Sequence, residues 1–340
     1  EFHPLEPDFL FALAPLPVIN KPFELTIYSD NQKEIIKNCL VGDVFICGGQ
    51  SNMAFTVNEA INIERVDNLN IRLFEVPKLP YEGAEVDFEW LYQNNPKWLI
   101  QEKDSIGWFS AIGYFVANKL YDKIDRPIGI ISLNMGDTTV FTWIDEDSQK
   151  HDDSIKFYWE QYQKELKKYK TEKAYEEEFK KKFYALMEFY GEIEKGVSLG
   201  LSSEESHKRA YEKVPDPFPP MGPMHQNRPA GLFETMVKRV VPYSSKAILY
   251  YQGENDKLNY RVYKHAMDVF TACWRKHFKD ELPIVIVQIA GYEYFDVEEL
   301  AVAKLRDAQA DFLNVAEKKY VACGADAGER YNIHPKDKNK

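Results

Sequence analysis

The residues best placed by type and spacing to do chemistry are Gly48-Gly-Gln-Ser-Asn-Met53, directly after the apolar run Val41-Gly-Asp-Val-Phe-Ile-Cys47. Strand, tight glycine turn, serine and then helix is a geometry that exposes the hydroxyl of Ser51 at a strand's carboxyl end, where open α/β sheets bind ligands. The Ser51 N–H would lie at a helix start, where amides point outward and the dipole favours negative charge. Such a turn suits a nucleophile whose attack generates an oxyanion. The alternative for Ser51 is a helix cap after a Gly-Gly turn.

A serine nucleophile needs a base, and seven histidines are available. His334 follows the last apolar run of the chain and the loop Asp326-Ala-Gly-Glu-Arg-Tyr-Asn-Ile, so a loop at a strand end can bring its imidazole to Ser51. His225, in a loop rich in Pro and Gly, is the runner-up. His3, His151, His207, His265 and His277 lie in polar or helical contexts and read as surface residues. Oxyanion donors could come from Asn134-Met-Gly-Asp-Thr138, where Gly136 admits close backbone approach. They could also come from Gln252-Gly-Glu-Asn-Asp256, with side-chain amides at Gln252 and Asn255. Ordinary turn chemistry is the alternative for both loops.

These groups need a scaffold. The run at 41–47 recurs in kind at Pro127–Leu133, Lys246–Tyr251, Pro283–Ile289 and Lys319–Ala325. Strands apolar on both faces belong in a parallel sheet covered by helices. Ser110–Leu120 and Tyr260–His277 carry helical periodicity, and the βα alternation predicts a doubly wound α/β sheet. Before it, Phe9–Leu13 and Phe23–Tyr28, punctuated by Pro15, Pro17, Asn20 and Pro22, read as strands of a β-rich segment over 1–40. The rest, 41–340, reads as one domain. Its rhythm breaks at about 147–213, where mixed Lys and Glu with Tyr and Phe predict an insertion of two long helices with solvated outer faces.

Composition excludes several functions. Of 340 residues, 44% are hydrophobic and 14% aromatic, enough to bury a large core and to rule out global disorder. A net charge of −11 repels phosphate backbones, so nucleic acid is not an expected partner. No apolar run approaches the ~20 residues of a membrane span. Cys39, Cys47, Cys273 and Cys323 show no CxxC spacing and read as scattered buried thiols, neither a zinc site nor a disulfide framework. The sequence begins at Glu1-Phe2, without methionine or leader, so this end does not report a compartment.

The block Gly42-Asp-Val-Phe-Ile-Cys-Gly-Gly-Gln-Ser-Asn-Met53 resembles the first block of the sialate O-acetylesterase family of carbohydrate esterases, within the SGNH hydrolase superfamily. Tyr251-Gln-Gly-Glu254, Arg228-Pro-Ala-Gly-Leu232 and Ile333-His-Pro335 are similar to further family blocks, as are Phe109–Phe115 and Leu305–Gln309. The likeness runs in order from about Leu13 onward. It implies a three-layer α/β/α SGNH-hydrolase-like fold with a β-rich N-terminal extension and a helical insertion. It also implies hydrolysis of acetyl esters on a sugar, without metal or cofactor, in a periplasmic or extracellular setting. Carried over by residue, Ser51 is the nucleophile and His334 the base, with the Ser51 and Gly136 amides and the Gln252 side chain as oxyanion hole. Asn255 competes for that last role, because Gly253-Glu-Asn-Asp256 also spells the superfamily's Gly-x-Asn-Asp; Glu254 is a further candidate site residue.

Two departures stand out. Relatives often carry Asp two or three residues before the histidine, where this chain has Asn332 and Tyr331. The imidazole must then be oriented by a backbone carbonyl, or by Asp326 or Glu329 folding back. The family's Gly-Gly in the second block is Gly136-Asp137. The expected partner is an acetylated sugar or glycan, with O-acetylated sialic acid first and acetylated xylan or pectin second. An inactive glycan-binding homologue is the reading of another class. Trp108, Trp143, Tyr250 and Tyr251 could stack on a sugar or belong to the core.

Overall fold

The computed structural model describes residues 13–29, 32–84, 97–292, 300–330 and 332–339. The chain opens with an antiparallel hairpin, β1 (Ile19–Ser29) and β2 (Gln32–Val41). Then come β3 (Asp43–Gly49), the single turn α1 (Ser51–Ala54), β4 (Asn68–Glu75), β5 (Leu99–Gln101), α2 (Ala111–Ile124) and β6 (Ile128–Asn134). Helices α3 (Glu146–Lys150), α4 (Lys156–Leu166), α5 (Glu172–Ser198), α6 (Ser203–Lys213) and α7 (Gly231–Thr235) follow. The chain then returns through β7 (Ala247–Tyr251), α8 (Tyr260–Phe278), β8 (Ile284–Val287), α9 (Ala301–Ala310) and β9 (Lys319–Ala322).

Seven strands form one sheet in the order β5-β4-β6-β3-β7-β8-β9, parallel except for β5. The apolar runs do what their composition demands: every residue of β6 is buried, and β3 is buried from Ile46 onward. Helices cover the sheet to give the three-layer α/β/α arrangement. Helix α2 packs on β4 and β6, and Trp274 of α8 approaches Gly48 of β3. Ser110 caps α2, accepting from the Gly113 N–H at 3.1 Å and donating to Met53 O at 2.6 Å. A cap of this kind contributes about 1 kcal/mol, and here it also ties α2 to the turn that carries Ser51.

The strands expected at 41–47, 127–133, 246–251, 283–289 and 319–325 are β3, β6, β7, β8 and β9. Strand β4 was not expected, because its buried Ile71 and Leu73 alternate with Asn70 and Arg72 instead of forming an apolar run. It lies one strand from the sheet edge and needs only one strongly apolar face. At the amino end, Phe23–Tyr28 falls in β1, with Pro22 at a register shift, the place a strand tolerates proline. The strand expected from Phe9 lies, apart from Leu13, outside the described residues. Between 147 and 213 there are three substantial helices where two were expected. The third, α6, carries a capping box at Ser202 and Glu205 that could have been read from sequence.

Candidate active site

Strand β3 lies between β6 and β7, and the chain leaves it toward β4 on one side before crossing back to β7 on the other. That makes its carboxyl end the switch point of the sheet. Gly49 turns the chain there with φ 136°, and a Cβ at this position would lie 2.0 Å from Tyr251 O. Only glycine fits. Gln50 follows, buried, and its Oε1 accepts from Gln252 Nε2 at 3.2 Å and from the Gly253 N–H at 3.3 Å. Ser51 is half-buried and starts α1, which lasts only one turn, so the expected helix start offers a single turn of amides. Ser51 is not a helix cap: the cap position is Gln50, and the Ser51 hydroxyl is bonded elsewhere.

Its partner is His334, whose Nε2 lies 2.8 Å from Ser51 Oγ across 283 positions of sequence. Burial, then the nearby Lys338 cation, holds the imidazole below its ordinary pKa, with Glu59 opposing. The ring is therefore neutral near pH 7, the form that accepts a hydroxyl proton. His225 is placed elsewhere. Its Nδ1 accepts from the Asn227 N–H at 3.0 Å, it packs edge-on to Phe179, and burial pushes its pKa down to about 4.

Neither Asp326 nor Glu329 reaches the His334 ring. Asp326 is exposed. Glu329 does fold back, but onto its own loop, accepting from Asn332 Nδ2 at 3.0 Å and the Lys336 N–H at 2.9 Å. Asn332, in the place of the expected aspartate, accepts from the His334 backbone N–H at 2.9 Å. Among the described residues no side chain bonds to His334 Nδ1. The ring is held by its loop instead of by a carboxylate.

That loop is anchored by Asn52 and Lys338, which the sequence did not single out, together with the candidate Glu254. Asn52 is fully buried and donates to Ile333 O at 3.0 Å and to Glu254 Oε1 at 2.5 Å. Its Oδ1 accepts from Lys338 Nζ at 2.5 Å, and the same ammonium lies 4.6 Å from the Phe55 ring centroid. Burial lowers the Lys338 pKa to about 8, against the pull of Glu254, Glu329 and Glu59. Burial raises that of Glu254, which Asn52 and Lys338 oppose. Asn52 was in plain view beside Ser51; its role shows only once residues 52, 254, 333 and 338 are brought together.

The expected oxyanion donors divide. Gly136 adjoins the serine, since a Cβ on it would lie 3.6 Å from Ser51 Cβ. Gln252 does not face the serine with a free amide. Its Nε2 donates to Thr138 O at 2.8 Å and Asp256 Oδ2 at 2.6 Å, and its Oε1 accepts from Tyr263 Oη at 3.0 Å. With Gln50 Oε1, these acceptors take up both N–H groups, so Gln252 has no spare donor for the hole in this arrangement. Asn255, the competing candidate, is half-buried and donates to Asp137 O at 3.2 Å, a bond a ligand could replace.

Asp137 now has a physical account. It adopts φ 55°, a left-handed conformation that aspartate tolerates better than most residues. Its carbonyl gathers donors from Gln226, Asn227 and Asn255. Its side chain is exposed at the surface, yet the protein packed around its carboxyl raises the pKa to about 6 against the pull of Lys257. Of the four aromatics considered for sugar stacking, Trp143, Tyr250 and Tyr251 are buried in the core, and Trp108 is half-buried against Phe109. All four cysteines are unpaired, but only Cys47 and Cys273 are the buried thiols expected; Cys39 is half-buried and Cys323 is exposed. One group of metal-type side chains occurs among the described residues, Asp145, Cys273 and His277. There Asp145 Oδ2 is hydrogen-bonded to His277 Nε2 at 2.6 Å, and Oδ1 caps α3.

Comparison with known proteins bears on this arrangement. Residues 223–337, which include His334 and the Gln252–Asp256 loop, match the family model described as carbohydrate esterase, sialic acid-specific acetylesterase. The chain is similar to the sialate O-acetylesterase family of carbohydrate esterases over this segment and, more weakly, beyond it. Sialate O-acetylesterase of Rattus norvegicus is 24% identical over 350 residues, covering 93% of this chain and 58% of its own length. That of Mus musculus is 25% identical over 356 residues, with the same coverage. The chain thus spans somewhat more than half the length of these relatives. A crystal structure of a carbohydrate acetylesterase from Xanthomonas citri aligns with a TM-score of 0.64 at 21% identity, covering 96% of this chain and 60% of that one. The fold is shared; Ser51 lies outside the matched family segment and rests on its own geometry.

Proposed function

We propose that this chain is a serine-dependent carbohydrate O-acetylesterase, acting first on O-acetylated sialic acid and second on acetylated xylan or pectic chains. The observation that carries this reading is the 2.8 Å contact between Ser51 Oγ and His334 Nε2 at the switch point of the sheet, beside Gly136. In the reaction, His334 Nε2 takes the Ser51 proton as Oγ attacks the acetyl carbonyl. The Ser51 and Gly136 amides, with Asn255 Nδ2 turning from Asp137 O, meet the developing oxyanion. His334 then gives its proton to the departing sugar oxygen, and water, activated by the same ring, releases acetate from Ser51. Every step uses a side chain or backbone amide of this chain.

The test is acetate release from O-acetylated sialic acid and acetylated xylo-oligosaccharides. Ser51→Ala is expected to lower turnover by ~10⁴-fold or more at unchanged thermal stability. Equal turnover by both proteins would remove the assignment. Failure of both on every acetyl ester would leave the inactive glycan-binding homologue.

A further inference from the structure

Between α4 and the 221–228 loop lies a cavity of about 310 Å³ that the reaction above does not use, lined by Tyr158, Gln161, Tyr162, Glu165 and Met221. We infer that it is a subsite for a neutral saccharide unit attached to the acetylated sugar. The inference rests on the esterase reading for which sugar is acetylated, and on the cavity itself for the rest.

The lining is suited to a hydroxyl-rich ring. Two tyrosines offer aromatic faces for the C–H side of a pyranose, while Gln161 and Glu165 offer an amide and a carboxylate to its hydroxyls. The volume is at the small end of ligand pockets, room for one ring. Tyr162 Oη makes no hydrogen bond among the described residues, and the Gln161 side chain is exposed. Glu165 is held by Lys168 at 2.6 Å. The only charge in the lining is thus a carboxylate already partnered by Lys168, so the lining itself supplies no cation to select an anionic unit.

The cavity is coupled to the reacting serine through one residue. Tyr158 stacks on Phe141, with ring centroids 4.3 Å apart. Its hydroxyl donates to Asn227 O at 2.8 Å and lies 3.2 Å from Thr139 Oγ1. Asn227 in turn bonds Asp137 O at 2.8 Å and the Thr139 N–H at 2.8 Å. The segment so held, 136–139, begins at Gly136 against Ser51 and spans at most about 11 Å. On this proposal the acetylated unit sits at Ser51 and a further unit of a trisaccharide occupies the cavity, which an acetylated monosaccharide leaves empty.

The experiment uses sialyl-lactose acetylated on the sialyl unit, acetylated xylotriose, and the matching acetylated monosaccharides, with Tyr162→Ala, Gln161→Ala and Tyr162→Phe. For whichever sugar is turned over, the trisaccharide is expected to exceed the monosaccharide in kcat/KM by about tenfold. Tyr162→Ala and Gln161→Ala remove that advantage through KM, Tyr162→Phe retains most of it, and monosaccharide turnover stays unchanged. In parallel, calorimetry of the unacetylated trisaccharides with Ser51→Ala protein reads the cavity without hydrolysis, and binding should weaken about tenfold when either alanine variant is added. Binding that survives both substitutions, or a loss of turnover equal for mono- and trisaccharides, overturns the subsite. Binding lost on substitution in a protein that hydrolyses nothing would keep the subsite and discard the esterase.

Discussion

The carboxyl end of β3 and the helices between 172 and 213 are built in opposite ways. Around Ser51, Gln50, Asn52, Gln252 and Asp256 are buried, and each has a side-chain hydrogen bond to a named partner. In α5 and α6 the buried cluster is small, Phe189, Ala210 and Val214, while Phe183, Tyr184, Met187 and Tyr190 of α5 are exposed. The first region is held by a dense set of bonds from four loops, so a serine and an imidazole far apart in sequence meet within hydrogen-bond reach. The second is held by a thin apolar seam and its own caps. Precision is concentrated where a proton must move, and the helices are free to differ without disturbing it.

If that contrast is right, a change at the first region should be costly out of proportion to its size. Gly49→Ala adds one methyl group. It places a Cβ within clashing distance of Tyr251 O at a φ that alanine avoids. The expected result is loss of more than about 3 kcal/mol of stability and loss of esterase turnover even in protein that remains folded. A variant of native stability and activity would show that the turn adapts and that the comparison is overdrawn.

The same contrast governs how much could be read in the sequence. Five of the parallel strands were legible because each carries a nearly unbroken apolar run, although β8 is buried at alternate residues and β9, at the sheet edge, is half-buried or exposed beyond Lys319. Ser51, Gly136 and His334 were legible because each follows such a run. Strand β4 was not, since a strand near the edge needs only alternate apolar residues. The anchoring of His334 was not legible either. Nothing in local pattern says that Asn52 reaches Ile333 O, that Asn332 caps a backbone amide, or that Gln252 turns its amide away from the serine. Those are facts of long-range pairing, and motif spacing carries no information about which neighbour saturates a donor. The cavity on α4 escaped for a related reason: its tyrosines read equally well as the inner face of an amphipathic helix.

At the second region a large deletion should be well tolerated. Phe189→Ala removes the largest member of the small seam and touches none of the residues near Ser51. Truncating a buried phenylalanine costs roughly 3–5 kcal/mol, more than so small a cluster can absorb. The α5–α6 pair should open locally and be cut by protease between residues 172 and 213. Turnover of a small acetyl ester should stay within about twofold. A parallel fall in small-ester turnover would mean the helices support the site directly.

The smallest expected effect sharpens the first region from within. Lys338 lies over Phe55 and against Asn52, and its charge, added to burial, keeps the His334 imidazolium disfavoured. His334 must be neutral to accept the Ser51 proton, so the rate should rise as pH climbs through a pKa below the ordinary 6.5 of histidine. Replacing the cation with Lys338→Met makes protonation easier and raises that pKa. The rising limb then moves to higher pH, activity drops at mildly acidic pH, and the plateau above pH 8 is kept. Deprotonation of Lys338 itself near pH 8 adds no second limb, because His334 is by then already neutral. A limb that stays in place while the plateau falls would identify Lys338 as a strut for Asn52 with no electrostatic part in setting the base.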